Sequence, residues 1–277
     1  MPKKNIGLIG CGSIGTNLAL ALESGGVANA SLIALFDIVD SSAKNLKSKL
    51  KSSAEAYPDF GRFLGSSTDI IVEAASQDAV RKFGMSIIDA SKDLMVMSVG
   101  ALADKAFLSE LLEAVNAKKG CCRIYVPTGA IAGIDAIRSV RDHLDSITLT
   151  TTKNSKALAG APFFETSKIR LDEITKPTVI YEGSAAEAVK MFPANVNVAA
   201  VLSLAGLGID KTRVRIIVNP KATTNQHEIV AMGSFGDITI TVNNLPIPGN
   251  PKTSFLAALS ALECLRSICD GGLRLGS

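Results

Sequence analysis

Lys4–Leu22 reads KNIGLIGCGSIGTNLALAL, and Ala28-Asn29-Ala30 follows close behind. Two lysines, an apolar run and an A-x-A triplet fit the plan of a secretory signal peptide. The same residues contain Gly10-Cys11-Gly12-Ser13-Ile14-Gly15, a GxGxxG loop set between a strand-like run and a helix-like segment. The apolar core of a signal peptide is continuous. This one is broken by Gly7, Gly10, Gly12 and Gly15 and by polar Ser13, Thr16 and Asn17. Those interruptions spoil a leader and are what a dinucleotide loop requires.

The flanks support the loop. Residues 5–10 form a short apolar run ending in glycine, as a buried parallel strand does, and Gly15–Leu22 carries apolar residues at helical spacing. Residues 31–37 read as the next strand, closed by Asp37. Helix and strand signals then alternate: helix 41–50, strand 69–75, helix 77–90, strand 94–100, helix 104–117 and strand 122–127. This alternation predicts a doubly wound parallel α/β sheet of the Rossmann type. In it Gly10 permits the tight turn, Gly12 lets main chain approach a pyrophosphate and Gly15 lets the helix pack on the strand. Ser13 and Ile14 open that helix, whose N-terminal N–H groups and dipole favour phosphate. Asp37 would accept hydrogen bonds from the adenosine ribose and repel a 2′-phosphate, so NAD is favoured and NADP is the second choice. A ligand-free glycine turn and an S-adenosylmethionine site are the competing readings of the loop.

After Pro127 the pattern changes. A small-residue loop, TGAIAG (128–133), precedes a helix expected over 134–143. Residues 146–153, 213–220, 227–233 and 237–244 show period-2 alternation, which argues antiparallel strands with one wet face. Helices are expected at 185–193 and 195–208, and an apolar helix over 250–268. The division expected is a dinucleotide-binding domain, 1–127, and a smaller α+β domain on an open sheet, 128–249, with the segment 250–277 packing back on the first.

Bulk properties narrow the function. The chain has 277 residues, 47% hydrophobic and 20% charged, enough for two modest cores. Net charge is only +3, and the densest basic run, residues 44–51, lacks interleaved aromatics, so no nucleic-acid partner is expected. No apolar run approaches the ~20 residues that span a bilayer, so no membrane partner is expected either. The five cysteines are odd in number and show no metal-ligand spacing, which fits reduced thiols in the cytoplasm and no metal site.

Only two histidines are present. His143 lies in a charged helix end and reads as a surface residue. His227 begins a strand after a polar turn, a position suited to a general acid/base. The segments 192–200 (FPANVNVAA) and 250–254 (NPKTS) are further candidate cleft walls, either of which could be simple helix-entry chemistry. Lys252 and Thr253 are candidates for holding an anionic substrate.

Taken in order, GLIGCGSIG, IVEAASQDAV, MSVGAL, VPTGAIAGIDAI, FPANVNVAAVLSLAGLGIDKT, HEIVAMGSFG and NPKTSFLAALSAL resemble the L-aspartate dehydrogenase family over nearly the whole chain. The resemblance implies oxidation of L-aspartate to iminoaspartate with NAD or NADP, giving oxaloacetate and ammonia or feeding NAD biosynthesis. It further implies a homodimer formed by the smaller, catalytic domain, with His227 as the catalytic residue and Ala130 and Asn197 on the nicotinamide side of the cofactor site. The alternatives are another two-domain oxidoreductase, such as homoserine dehydrogenase or dihydrodipicolinate reductase, and a non-catalytic NAD sensor.

Overall fold

The computed structural model describes residues 2–193, 197–247 and 250–270, with the side chains of Pro251 and Lys252 outside that set. The chain divides into two compact units, one made of the described residues up to Pro127 together with those from Ala258, the other of Thr128–Ala257.

The first unit is a six-stranded sheet of β1 (Lys4–Ile9), β2 (Ala30–Phe36), β3 (Glu55–Ala56), β4 (Ile70–Glu73), β5 (Asp93–Val96) and β6 (Ile124–Tyr125). The order is β3-β2-β1-β4-β5-β6 and every pairing is parallel. That order places the β1–β4 switch point at the C-terminal end of β1, where ligands bind in such sheets. The central strands are largely apolar, as strands covered on both faces are: Ile6, Leu8, Ile70, Ile71, Val72, Met95 and Val96 are all buried. The helix Phe255–Cys269 returns to this unit, and Ala261, Leu262, Leu265 and Cys269 join Ile6, Leu18, Leu22 and Leu32 in one cluster. Asp270 Oδ1 accepts from both nitrogens of Asn29, and Arg266 Nε donates to the Gly26 carbonyl.

The second unit holds a five-stranded sheet of β7 (Leu144–Lys153), β8 (Thr178–Ser184), β9 (Arg213–Val218), β10 (Asn225–Gly233) and β11 (Gly236–Asn244), in the order β11-β10-β7-β9-β8. It is mixed rather than antiparallel throughout: β7 and β9 run parallel, while the other three pairings are antiparallel. Strand β8 was not anticipated, because its single buried pair, Ile180-Tyr181, gives no alternation. The helix after the TGAIAG loop spans Ile134–Ser139 and gives way to a 3₁₀ turn at Arg141–His143, so it stops short of His143.

A second correction concerns the last segment. Residues Asn250–Ser254 are not the start of the final helix but a strand, β13, paired antiparallel with β12 (Pro246–Ile247). The helix starts only at Phe255, whose N–H donates to the Leu245 carbonyl at 2.9 Å. Hairpin pairing outcompetes the capping chemistry that Asn250 and Pro251 suggested.

Candidate active site

At the end of β1 the chain turns through Gly10, whose φ of +93° favours glycine and where a Cβ would lie 2.7 Å from the Ala74 carbonyl. A Cβ at Gly15 would overlap the Gly10 carbonyl oxygen, so only glycine lets the helix Ser13–Glu23 start this close to the strand. Gly12 differs. A Cβ there meets nothing within 4 Å, so no contact within the chain demands a bare position. Gly12 is the N-cap residue, and no side chain caps the first turn of Ser13, Ile14 and Gly15. An uncapped helix N-terminus behind an uncovered glycine is a cradle for an anionic group, and a dinucleotide pyrophosphate fits it.

Asp37, one residue past the end of β2, is tied to this loop. Its Oδ2 accepts from the Cys11 N–H and its Oδ1 from the Val39 N–H, both at 2.8 Å. A carboxylate oxygen takes two hydrogen bonds, so each retains capacity for a ribose hydroxyl. The Cys11 thiol beside it is inert: burial, then the Asp37 charge, push its pKa up to about 12.

A residue the sequence reading passed over lies at the end of β4. Glu73 is almost wholly buried. Its Oε1 accepts from the Ala75 N–H at 2.8 Å and the Ser98 hydroxyl at 2.8 Å, and its Oε2 accepts from the Ser98 N–H at 3.0 Å. Burial raises its pKa, and the hydrogen bonds from Ser98 and Ala75 partly oppose that rise. Glu73 thereby fixes two adjacent loops at the C-terminal edge of the parallel sheet.

In the second unit, His227 lies on β10 directly opposite Thr151 on β7. On this buried face the cross-strand pairs change character along the strands. Ile147/Ala231 and Leu149/Ile229 are apolar; the next pair is Thr151/His227. The His227 imidazole is 2% exposed, and its Nδ1 lies 3.0 Å from the Thr151 hydroxyl. Burial, and next the charge of Lys153, push its pKa down to about 3, so the ring is neutral at physiological pH. Lys153 is two residues beyond Thr151 on the same face, and it too is buried; burial lowers its pKa to about 8.

Further buried polar groups adjoin this face. Asn225, two residues before His227, pairs across the sheet with Asn244, and its amide donates to the Ser254 hydroxyl at 3.3 Å. Asn244 donates to the Ala130 carbonyl at 2.9 Å, which ties the TGAIAG loop to β11. Thr253 accepts from the Asn250 amide at 3.1 Å. Asn197 opens the helix Asn197–Ala205, which packs against the helices Ile134–Ser139 and Ala185–Met191. Residues 194–196 of the FPANVNVAA segment, and the Lys252 side chain, lie outside the described residues. His143 is exposed and meets Ser234 at 3.2 Å. Among the described residues no group of acidic, cysteine and histidine side chains could hold a metal.

A dinucleotide cradle on a β3-β2-β1-β4-β5-β6 sheet and a buried neutral imidazole on a separate mixed sheet define the class: a two-unit NAD(P)-dependent oxidoreductase. The family model for the aspartate dehydrogenase C-terminal region matches residues 135–268, and that for the homoserine dehydrogenase NAD-binding domain matches residues 10–127. The L-aspartate dehydrogenase of Nitrosopumilus maritimus is 48% identical over 99% of this chain and 100% of its own. That of Methanocella arvoryzae is 45% identical over 98% and 99%. The crystal structure of aspartate dehydrogenase from Thermotoga maritima superposes with a TM-score of 0.75 at 26% identity, covering 99% of both chains. The chain belongs to the L-aspartate dehydrogenase family.

Proposed function

We propose that this protein oxidises L-aspartate to iminoaspartate, with NAD or NADP as hydride acceptor, the imine then hydrolysing to oxaloacetate and ammonia. The single observation that carries the chemistry is the buried His227–Thr151 pair at the polar end of an otherwise apolar sheet face. The Gly10–Gly15 loop holds the pyrophosphate and Asp37 the ribose, while exposed Ile38 and Val39 offer apolar surface to the adenine. Ala130 and Asn197 serve the nicotinamide side. When bound, the dinucleotide supplies a hydride acceptor.

The protein's own task is to deprotonate the amine, because only a neutral nitrogen has the lone pair that drives imine formation. With the proton of the imidazole on Nδ1 and donated to Thr151 Oγ1, Nε2 is left as the acceptor for that amine proton. Once that proton has passed to solvent, the same nitrogen is free to activate water for hydrolysis of the imine. In this reading Thr253 and its chain neighbour Lys252 help to hold the substrate.

The homodimer belongs to this reading. Ile238, Ile240 and Val242 are half-buried on edge strand β11, leaving apolar surface at the rim of the second sheet. Light scattering at twice the mass of one chain is expected. All five cysteines are free thiols, which suits a cytoplasmic enzyme supplying NAD biosynthesis. The deciding experiment is NAD- and NADP-dependent turnover on a panel of amino acids. Oxidation of L-aspartate ahead of homoserine is expected; turnover of homoserine alone, or of nothing, overturns the proposal.

A further inference from the structure

The buried face that carries His227 holds a group with no place in the mechanism above. Lys153 is 3% exposed, and among the described residues no other lysine or arginine is buried. Its strand neighbour on β9 is Val218, and the side chains before it on the same face are Thr151, Leu149 and Ile147. On an antiparallel pair a residue two positions from a directly opposed partner is a diagonal neighbour, about 7–8 Å away between Cα atoms. Lys153 stands in that relation to His227, close enough for its charge to act on the imidazole. A buried ammonium on the same face as a neutral acid/base group is a fixed positive charge with which the carboxylate of a substrate can pair.

We infer that Lys153 seats one carboxylate of a dicarboxylate substrate beside His227. This rests on the aspartate reading and deepens it, since it assigns the second negative charge of the substrate a fixed cation. It also has a consequence for His227. A carboxylate on Lys153 offsets the positive charge that disfavours imidazolium, so the base gains proton affinity when substrate is in place. Before that, the ring stays neutral.

The test uses Lys153→Met, which keeps volume and removes charge, and Lys153→Gln, which keeps hydrogen bonding. L-aspartate KM is measured by NADH formation, and succinate, a dicarboxylate that carries no amine to oxidise, is titrated calorimetrically into the NADH complex. Both variants are expected to raise KM by about 30-fold or more and to weaken succinate to a similar degree, with NADH affinity retained. Lys153→Met is also expected to melt no lower than the natural protein. Unchanged KM and succinate affinity overturn the inference. So does failure of both variants to fold, which would make Lys153 a structural post. Failure of the aspartate reading looks different: the natural protein then oxidises no aspartate, whatever succinate does.

Discussion

The two units present polar groups in opposite ways. The Gly10–Gly15 loop does so with main chain: glycines strip away side chains, and the first helix N–H groups, at Ser13–Gly15, have no side-chain cap and do not titrate. The β7–β10 face does so with side chains withdrawn from water. His227 is held near pKa 3 and Lys153 near 8. Both shifts have desolvation as their first cause, so the second site is bought with stability that the first does not spend. In the proposed function the cofactor loop is thus bare main chain, while the chemistry falls to side chains that titrate.

The largest expected effect breaks the two apart. His227→Ala should lower kcat by about 10³-fold, the usual worth of a positioned acid/base group, and leave NADH binding nearly intact by fluorescence titration. Activity like that of the natural protein would remove His227 from the mechanism. Gly15→Ala should do the reverse. Its Cβ overlaps the Gly10 carbonyl oxygen, so loop and helix must separate. NADH should bind about 10- to 100-fold more weakly, the scale of 1–3 kcal/mol of overpacking, while the His227 environment stays as it was.

The same contrast explains what could be read from the sequence. The proposed cofactor loop is contiguous, a strand–turn–helix with three glycines at fixed spacing and an acidic residue closing the next strand, so a local pattern points to it and to Asp37. His227 and Thr151 are 76 positions apart, and only strand pairing makes them neighbours. His227 stood out as one of two histidines; Thr151 had no such mark. Lys153 did carry a signal. Ile147, Leu149 and Thr151 set the inward register of β7, and the next inward residue is a lysine, which is out of keeping with a core. Glu73 was legible only as a strand end, since its burial comes from a loop 25 positions away at Ser98. The parallel β7–β9 pair was hidden for a related reason: period-2 alternation reports which face is wet, not which way the neighbour runs.

Lys153 gives a third, smaller effect, one that depends on pH. Its pKa is about 8 in the fold against 10.5 in an unfolded chain, so the folded state binds the proton less tightly. The cost of burying the charge is therefore full below pH 8, shrinks as pH rises from 8 to 10.5, and vanishes above that. At pH 7 Lys153→Met should be the more stable protein, by a margin on the order of 3 kcal/mol at most. Chemical denaturation from pH 7 to 10.5 should show that margin closing. A constant margin would mean that hydrogen bonding, not charge, sets the difference.

The smallest effect sharpens the cofactor side. Asp37→Ser keeps an acceptor near the ribose and removes the negative charge, together with the paired acceptance from the Cys11 and Val39 N–H groups at 2.8 Å. In the proposed complex the charge would repel a 2′-phosphate, and the carboxylate would accept from the ribose hydroxyls of NAD. Removing it should lower kcat/KM with NAD and raise it with NADP, each by roughly fivefold to tenfold, in line with a hydrogen bond to a charged group at a half-exposed site. The Cys11 thiol supplies a control. Desolvation is the larger cause of its raised pKa and Asp37 only the second, so the thiol should stay unreactive toward an alkylating reagent in the variant. A thiol that becomes reactive would show that the loop has opened. The change in cofactor preference would then reflect lost structure, whereas a silent thiol with a shifted NAD/NADP ratio assigns that preference to the Asp37 charge.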